Sequence, residues 1–182
     1  MNPPTCKRIF VIGMPGCGKS TEGKILAKKL GWNFIDLDKK IESEMGSDIQ
    51  SIFKMQGEAY FRELERKALI QLKVLDNAVI ACGGGTIAFH NNMQWIKENG
   101  FSIYLRAEPK LLLNRILSSK TQRPLFEGLN EEEILVKIKE LLEKRGLFFE
   151  QADISIDLPK STSELTYIKA SEAFMLAKKP SN

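Results

Sequence analysis

Short apolar runs alternate along this chain with longer stretches in which apolar residues recur every three or four positions. Arg8 to Ile12 is a short, branched run bounded by Gly13, which is the pattern of a buried strand. From Gly18 to Leu30 the apolar positions Ile25, Leu26 and Leu30 share one side and Gly31 stops the run, so a helix is expected. Asn33 to Leu37 reads as a second strand. Helical patterns follow from about Lys39 to Met45 and from Ile49 to Leu75, the latter broken near Gly57. Ala78 to Cys82 is a third strand and runs into Gly83-Gly84-Gly85. A helix at Asn92 to Glu98, a strand at Phe101 to Leu105 and a helix at Pro109 to Leu117 come next. Ser118 to Asn130 is mixed in polarity and contains Arg123-Pro124. Proline drives the residue before it away from helix geometry, so a long loop is expected there. Glu131 to Phe148 is helical, Ile154 to Ile156 a short strand, Ser163 to Leu176 a last helix, and Lys178 to Asn182 a loose tail.

Strands that alternate with helices predict a parallel sheet covered on both faces. The expectation is one domain, residues 1–182, with a three-layer α/β architecture and five parallel strands, since no repeat or Pro/Gly/Ser-rich linker divides the chain. With 43% hydrophobic and 27% charged residues the composition is that of a globular protein, which excludes disorder as the default state. The net charge of +4 suits an anionic small ligand. Basic residues are mixed with acidic ones and form no tract, which argues against a nucleic-acid partner. Three cysteines without a C-x-x-C spacing argue against a disulfide framework or a zinc site and for a reducing compartment. The run Ile9 to Ile12 is too short for a signal or a membrane span, so a soluble cytoplasmic protein, monomeric by default, is expected. His90 reads as a surface residue with no obvious partner, and Trp32 and Trp95 as packing residues.

Gly13-Met14-Pro15-Gly16-Cys17-Gly18-Lys19-Ser20 fits G-x-x-x-x-G-K-[ST] between a strand and a helix. Glycines let backbone amides wrap phosphate oxygens, and the helix N-terminus adds its partial positive charge. Gly13, Gly16, Cys17, Gly18, Lys19, Ser20 and Thr21 are therefore the expected ATP-binding residues. Lys19 reaches the β- and γ-phosphates, and the Ser20 hydroxyl is a ligand for Mg²⁺. Cys17 is either a thiol activated by its surroundings or a small filler of a tight loop, and the filler reading is preferred.

The guanine motifs of a switch GTPase are missing, and the third strand ends in glycines rather than in the acidic metal ligand of a large ATPase. A small kinase remains. Asp36-Leu37-Asp38 closes the second strand, where period two would put both carboxylates on one face at the ligand-binding end of the sheet. The alternatives are solvated loop acids or a helix N-cap.

These features together resemble the shikimate kinase family of P-loop enzymes. The resemblance rests on Gly13 to Ser20, Asp36-Leu37-Asp38, Phe61-Arg62, Gly83-Gly84-Gly85, Arg123-Pro124-Leu125 and Lys144-Arg145, in the family's order and at nearly its spacing. It implies a P-loop kinase fold with a mobile lid near residues 118–130 and an acceptor-binding helical segment near 38–76. It implies transfer of the γ-phosphoryl group of ATP to shikimate, giving shikimate 3-phosphate on the route to aromatic amino acids, with Mg²⁺ as cofactor. Asp36, with Ser20, would then organise Mg²⁺. Asp38 would bind the acceptor hydroxyl and act as base. Arg62 and Arg145 would grip the acceptor carboxylate, and Gly83, Gly84 and Gly85 would offer backbone groups. Arg123 would reach the phosphates, and Arg115 would stack on adenine. Asp38, Lys19 and Arg123 would be the catalytic set.

The residue patterns agree. Ile134, Ile138 and Leu141 define an inward face that Arg145 continues, and an arginine there needs an anion. Arg62 borders the stripe of Phe61, Leu64, Ala68, Leu72 and Leu75, where a surface pair with Glu65 at i+3 is the bland alternative. Phe53 and Phe61 either wall the pocket or belong to the core. Departures from the family pattern are Leu37 between the aspartates, Glu22 on the P-loop helix, Cys82 before the glycines, and Gly-Leu-Phe-Phe after Arg145. Two other readings are a gluconate or nucleotide kinase of the same fold and an ATP-binding module without catalysis. The first need not carry the acceptor set, and the second need not keep every catalytic group.

Overall fold

The computed structural model describes residues 8–119, 123–158 and 163–177. Strands β1 (Arg8–Ile12), β2 (Asn33–Asp36), β3 (Ala78–Ala81), β4 (Phe101–Ala107) and β5 (Ile154–Leu158) form one sheet in the order β2-β3-β1-β4-β5, with every neighbouring pair parallel. The helices are α1 (Lys19–Leu30), α2 (Leu37–Met45), α3 (Ile49–Gln71), α4 (Asn92–Asn99), α5 (Pro109–Leu117), α6 (Glu131–Phe149) and α7 (Ser163–Ala177). The expected alternation and five-stranded parallel sheet are therefore found. A parallel sheet must be covered on both faces, and β1 and β3 are accordingly apolar and buried almost throughout.

One boundary changes the site. The chain leaves the sheet at Asp36, and Leu37 already opens α2. Asp36 keeps an extended backbone and caps that helix, its Oδ1 accepting from the Lys39 amide at 3.3 Å. Asp36 and Asp38 therefore do not share one face of a strand. Asp36 is a strand end and a cap, while Asp38 lies in the first helical turn. The cap and the full burial of Leu37 outweigh continuation of the strand.

Gly57 breaks α3 as expected. Its φ of 82° is left-handed, and no atom lies within 4 Å of where a Cβ would stand, so backbone conformation alone requires glycine there. The described part of the expected 118–130 lid is more ordered than a loop. Pro124–Phe126 form a 3₁₀ turn with Phe126 buried, and Asn130 with Glu133 makes a capping box that starts α6. Residues 120–122 of that lid, the expected tail and Cys6 lie outside the described residues.

Both tryptophans pack in ring pairs, Trp95 on Phe10 and Trp32 on Phe174. His90 is on the surface as expected but does have a partner, its Nε2 lying 3.5 Å from Glu63 Oε1 across the gap between α3 and the segment before α4. Phe149, fully buried at the end of α6, stacks on Tyr104 of β4 at 4.9 Å between ring centroids.

That stack ties α6, and with it Arg145, to the sheet. Phe149→Ala should cost about 3–5 kcal/mol in denaturant unfolding. A loss under about 1 kcal/mol would show that the stack does not hold α6 in place.

Candidate active site

Because β3 lies between β1 and β2, the carboxyl ends of these three strands are neighbours. The P-loop leaves β1, Asp36 ends β2, and the glycine triplet follows β3. This is the edge where open α/β sheets take ligands.

The loop has left-handed or otherwise glycine-favouring φ at Gly13 (148°), Gly16 (84°) and Gly18 (103°). A Cβ on Gly13 would stand 2.8 Å from both Cys17 Sγ and Leu105 O, so no side chain fits. Cys17 is fully buried against it, which bears out the filler reading. Lys19 Nζ donates to Gly13 O and Met14 O, both at 3.0 Å, and so lies folded back along its own loop. Thr21 is exposed in the first turn of α1. Arg115 of α5 donates from Nη1 to Cys17 O at 2.7 Å, which fixes its guanidinium against the loop.

Ser20 Oγ donates to Asp36 Oδ2 at 2.5 Å. A hydroxyl and a carboxylate in contact are the hard oxygen donors that Mg²⁺ prefers. Among the described residues no group of three or more His, Cys, Asp or Glu side chains gathers as a metal cage. Two protein oxygens completed by phosphate and water is the usual Mg²⁺ arrangement, so the residues fit that ion.

On the other side of the cleft Asp38 is half-buried, and its pKa is pushed up to about 6. Burial is the main cause, Glu65 and Asp36 add to it, and Lys19 and Arg123 oppose it. Glu65 is fully buried and accepts at both oxygens. Its Oε2 takes Arg62 Nη1 at 2.8 Å, and its Oε1 takes the Thr86 hydroxyl. The Arg62–Glu65 pair considered from spacing is thus real, but it is an interior pair rather than a surface one. Arg62 also donates from Nε and Nη2 to Glu58 Oε1, at 3.2 and 2.8 Å, and its guanidinium carbon lies 4.4 Å from the centre of the Phe89 ring.

The glycine triplet is pressed by these groups. A Cβ on Gly83 would stand 2.5 Å from Glu65 Oε1 and 2.8 Å from Asp38 Oδ1. One on Gly84 would meet Pro15 Cγ at 2.6 Å, and one on Gly85 would meet Arg62 Nη2 at 2.7 Å. Arg145 is buried and donates from Nη1 to Gly84 O at 3.0 Å. Burial, and then the charge of Arg62, lower its pKa. Cys82, directly before the triplet, is buried and its thiol is pushed far up by that burial, which leaves it inert.

One cleft of about 460 Å³ is lined by Ser20, Asp36, Asp38, Arg62, Gly83, Gly84, Gly85 and Arg123. Phe53 and Phe61 wall it, Phe61 as part of the core as well. Arg145 is not among the lining residues and stands behind Gly84. Arg123 Nε is buried with no hydrogen-bond partner among the described residues, an orphaned donor of the kind that an anion completes. Sequence reasoning missed the parts played by Glu58, Glu65, Thr86 and Phe89. The only signal for Glu65 was its i+3 spacing from Arg62, and nothing marked Thr86 beyond its place after three glycines.

The family model for shikimate kinase matches residues 15–173. The shikimate kinase of Parabacteroides distasonis is 38% identical over 169 residues, covering 93% of this chain and 98% of its own. That of Chlorobium limicola is 44% identical over 153 residues, covering 81% and 76%. Among solved structures, shikimate kinase from Bacteroides thetaiotaomicron superposes with a TM-score of 0.87 at 36% identity, over 93% of this chain and 98% of its own. The Acinetobacter baumannii enzyme in complex with shikimate gives 0.85 at 32%, over 96% of each chain. A gluconokinase from Sinorhizobium meliloti, at 0.59 and 16% identity, shares the fold alone. With a matching model over most of its length and relatives this similar, the chain belongs to the shikimate kinase family and is an ATP-dependent phosphotransferase acting on shikimate.

Proposed function

We propose that the cleft divides the family reaction among the residues gathered there, with Asp38 at its centre. The carrying observation is one half-buried carboxylate with a raised pKa, set in a single cleft with Arg62, Arg123 and the Ser20–Asp36 pair, and within electrostatic reach of Lys19. The P-loop amides and Lys19 hold the phosphates of ATP, and Lys19 exchanges the Gly13 and Met14 carbonyls for phosphate oxygens. Ser20 and Asp36 hold Mg²⁺, which when bound neutralises phosphate charge and orients the transferred group. Arg115, already fixed at Cys17 O, lies against adenine. Arg123 turns its unpartnered Nε and the rest of its guanidinium to the phosphates, where charge spreads in the loose transition state.

Arg62 takes the carboxylate of shikimate, and Gly83 to Gly85 bring backbone close to the ring hydroxyls. Arg145 joins Arg62 by moving from Gly84 O or by supporting the triplet from behind. Ionised Asp38 orients the attacking hydroxyl and accepts its proton as the new bond forms. Every one of these groups comes from one chain, which supports a monomer as the working unit. Cys17 and Cys82, free and buried, suit a reducing cytoplasm, and among the described residues no helix is long and apolar enough to cross a membrane.

Release of ADP should depend on shikimate when ATP and Mg²⁺ are supplied, with gluconate and nucleoside monophosphates inert in parallel. Release with one of those instead would overturn the acceptor assignment.

Arg62→Ala should raise the KM for shikimate about tenfold or more and leave ATP binding unchanged. A change confined to ATP would move Arg62 to the nucleotide.

Asp38→Asn should lower kcat by about 10²-fold or more while ATP still binds. The same variant should be more stable than the parent. The folded pKa of about 6 lies above the ordinary 3.8, so the folded state holds this proton more tightly than the unfolded chain. Keeping Asp38 ionised therefore costs stability on the order of 2–3 kcal/mol above about pH 6, and the cost fades as pH falls toward about 4. Melting of the ligand-free protein at several pH values checks this. A variant less stable than the parent near neutral pH, or a difference that does not shrink in acid, would refute the strained carboxylate.

A further inference from the structure

Arg62 is the group that receives the acceptor carboxylate, yet its inner edge is set at second hand. Nη1 of Arg62 bonds Glu65, and Glu65 is kept from turning by the Thr86 hydroxyl on its other oxygen. Thr86 opens a 3₁₀ turn directly after the glycine triplet. Its own carbonyl accepts from Asn92 Nδ2 at 2.7 Å, and Asn92 Oδ1 accepts from Arg66 Nη1 at 2.7 Å. Thr86, Asn92 and Glu65 are all fully buried. The chain of bonds thus starts on α3 at Arg66, crosses to the head of α4, passes through the turn behind the triplet, and returns to α3 at Glu65 and Arg62. Arg62, Glu65 and Arg66 stand at i, i+3 and i+4 on one helix, so the Arg62–Glu65 link is fixed by helical spacing and both ends of the circuit rest on the same element.

We propose that Thr86 and Asn92 are positioning residues for acceptor binding: Thr86 locks Glu65, and through it the Arg62 guanidinium, while Asn92 locks the backbone of Thr86. This rests on the reading of Arg62 as the ligand of the acceptor carboxylate. A buried carboxylate with one free oxygen would rotate to find a donor, and the guanidinium bonded to it would follow. A displacement on the order of 1 Å is enough to spoil a two-point grip on a carboxylate. Glu58 cannot replace this control, because it approaches Arg62 from the half-exposed side and holds Nε and Nη2 only. The nucleotide side has no member in the circuit, so the effect should fall on one substrate.

Thr86→Val keeps the branched shape and removes only the hydroxyl. In steady-state kinetics of the full chain it should raise the KM for shikimate about tenfold, leave the KM for ATP within about twofold, and leave kcat within about threefold. Thr86→Ser, which restores the hydroxyl, should return the KM for shikimate to within about twofold of the parent. Thr86→Ala removes the same hydroxyl without the added methyl group. It keeps the test open if valine packs badly, and it should show the same one-sided rise. Arg62→Ala is measured alongside. If Arg62→Ala raises the KM for shikimate and both hydroxyl-free variants do not, the positioning proposal falls and the reading of Arg62 stands. If Arg62→Ala itself has no effect, both fall. Equal rises in both KM values with a lower melting temperature would mark Thr86 as structural only and overturn the proposal.

Discussion

Two carboxylates and two guanidiniums are withdrawn from water around a strand end that carries no side chains, and the rest of the site depends on how they balance. Asp38 and Glu65 are negative, Arg62 and Arg145 positive; Glu65, Arg62 and Arg145 are almost wholly buried, and Asp38 is half-buried beside them. Isolated charges at such depth would be untenable, so each must be paired or shift its proton equilibrium. Glu65 solves this by pairing, with Arg62 on one oxygen and Thr86 on the other. Arg145 leans on a backbone carbonyl. Asp38, with no such bond, carries the imbalance as a raised pKa. The three glycines are what permit this density of charge, because a Cβ at any of them would strike a carboxylate, an arginine or the P-loop proline. The raised pKa means that stability is given up to keep an ionised carboxylate at Asp38, a trade usual at functional positions.

The sheet order supplies the geometry for that balance. With β3 between β1 and β2, the phosphate loop, the Asp36 cap and the triplet come within reach of one another without any long connection. Asp36 then serves two elements at once. Its Oδ1 caps α2 and its Oδ2 receives Ser20, so the start of the helix that carries Asp38 is registered against the start of the helix that carries Lys19. Asp38 and Lys19 are set relative to each other by one residue that is itself a natural helix cap.

Much of this was legible from the residues alone. Strand and helix periods gave the order of elements and most of their bounds to within two residues, because parallel strands buried on both faces are strongly patterned, though the helix expected to reach Leu75 ends at Gln71. The P-loop was legible because its glycines answer a local backbone requirement. Asp36 and Asp38 were found, but their relation was misread as a strand pair, since a short apolar residue between two acids fits a strand edge as well as a helix start. Glu65 and Thr86 were not recognised as parts of the site. Their roles depend on α3 meeting the turn after β3, a contact between residues 21 apart in sequence that no local pattern encodes. His90 looked solitary for the same reason, its partner Glu63 lying on another element.

The ligand-free cleft also explains why both substrates must be anions. Lys19 is held by loop carbonyls, Arg123 keeps a buried donor unused, and Arg62 and Arg145 are close enough for one to depress the pKa of the other. Lys19 and Arg145 lean on backbone carbonyls and Arg123 Nε has no partner among the described residues, all weaker than a phosphate or a carboxylate would be, whereas Arg62 is already paired with Glu58 and Glu65. The opposing charges, Asp38 and Glu65, are fixed on the acceptor side and cannot migrate to relieve them. Bringing in triphosphate and acceptor carboxylate therefore completes bonds that the fold has left unfinished. Arg123 and Lys19 would be drawn toward the phosphates, away from their present partners. Asp38, which both now help to keep ionised, would then depend on the acceptor hydroxyl as its new donor. On the proposed reading the half-buried carboxylate would be least stable with nucleotide alone and would gain a partner when the acceptor arrives, which would favour the orientation that leads to transfer.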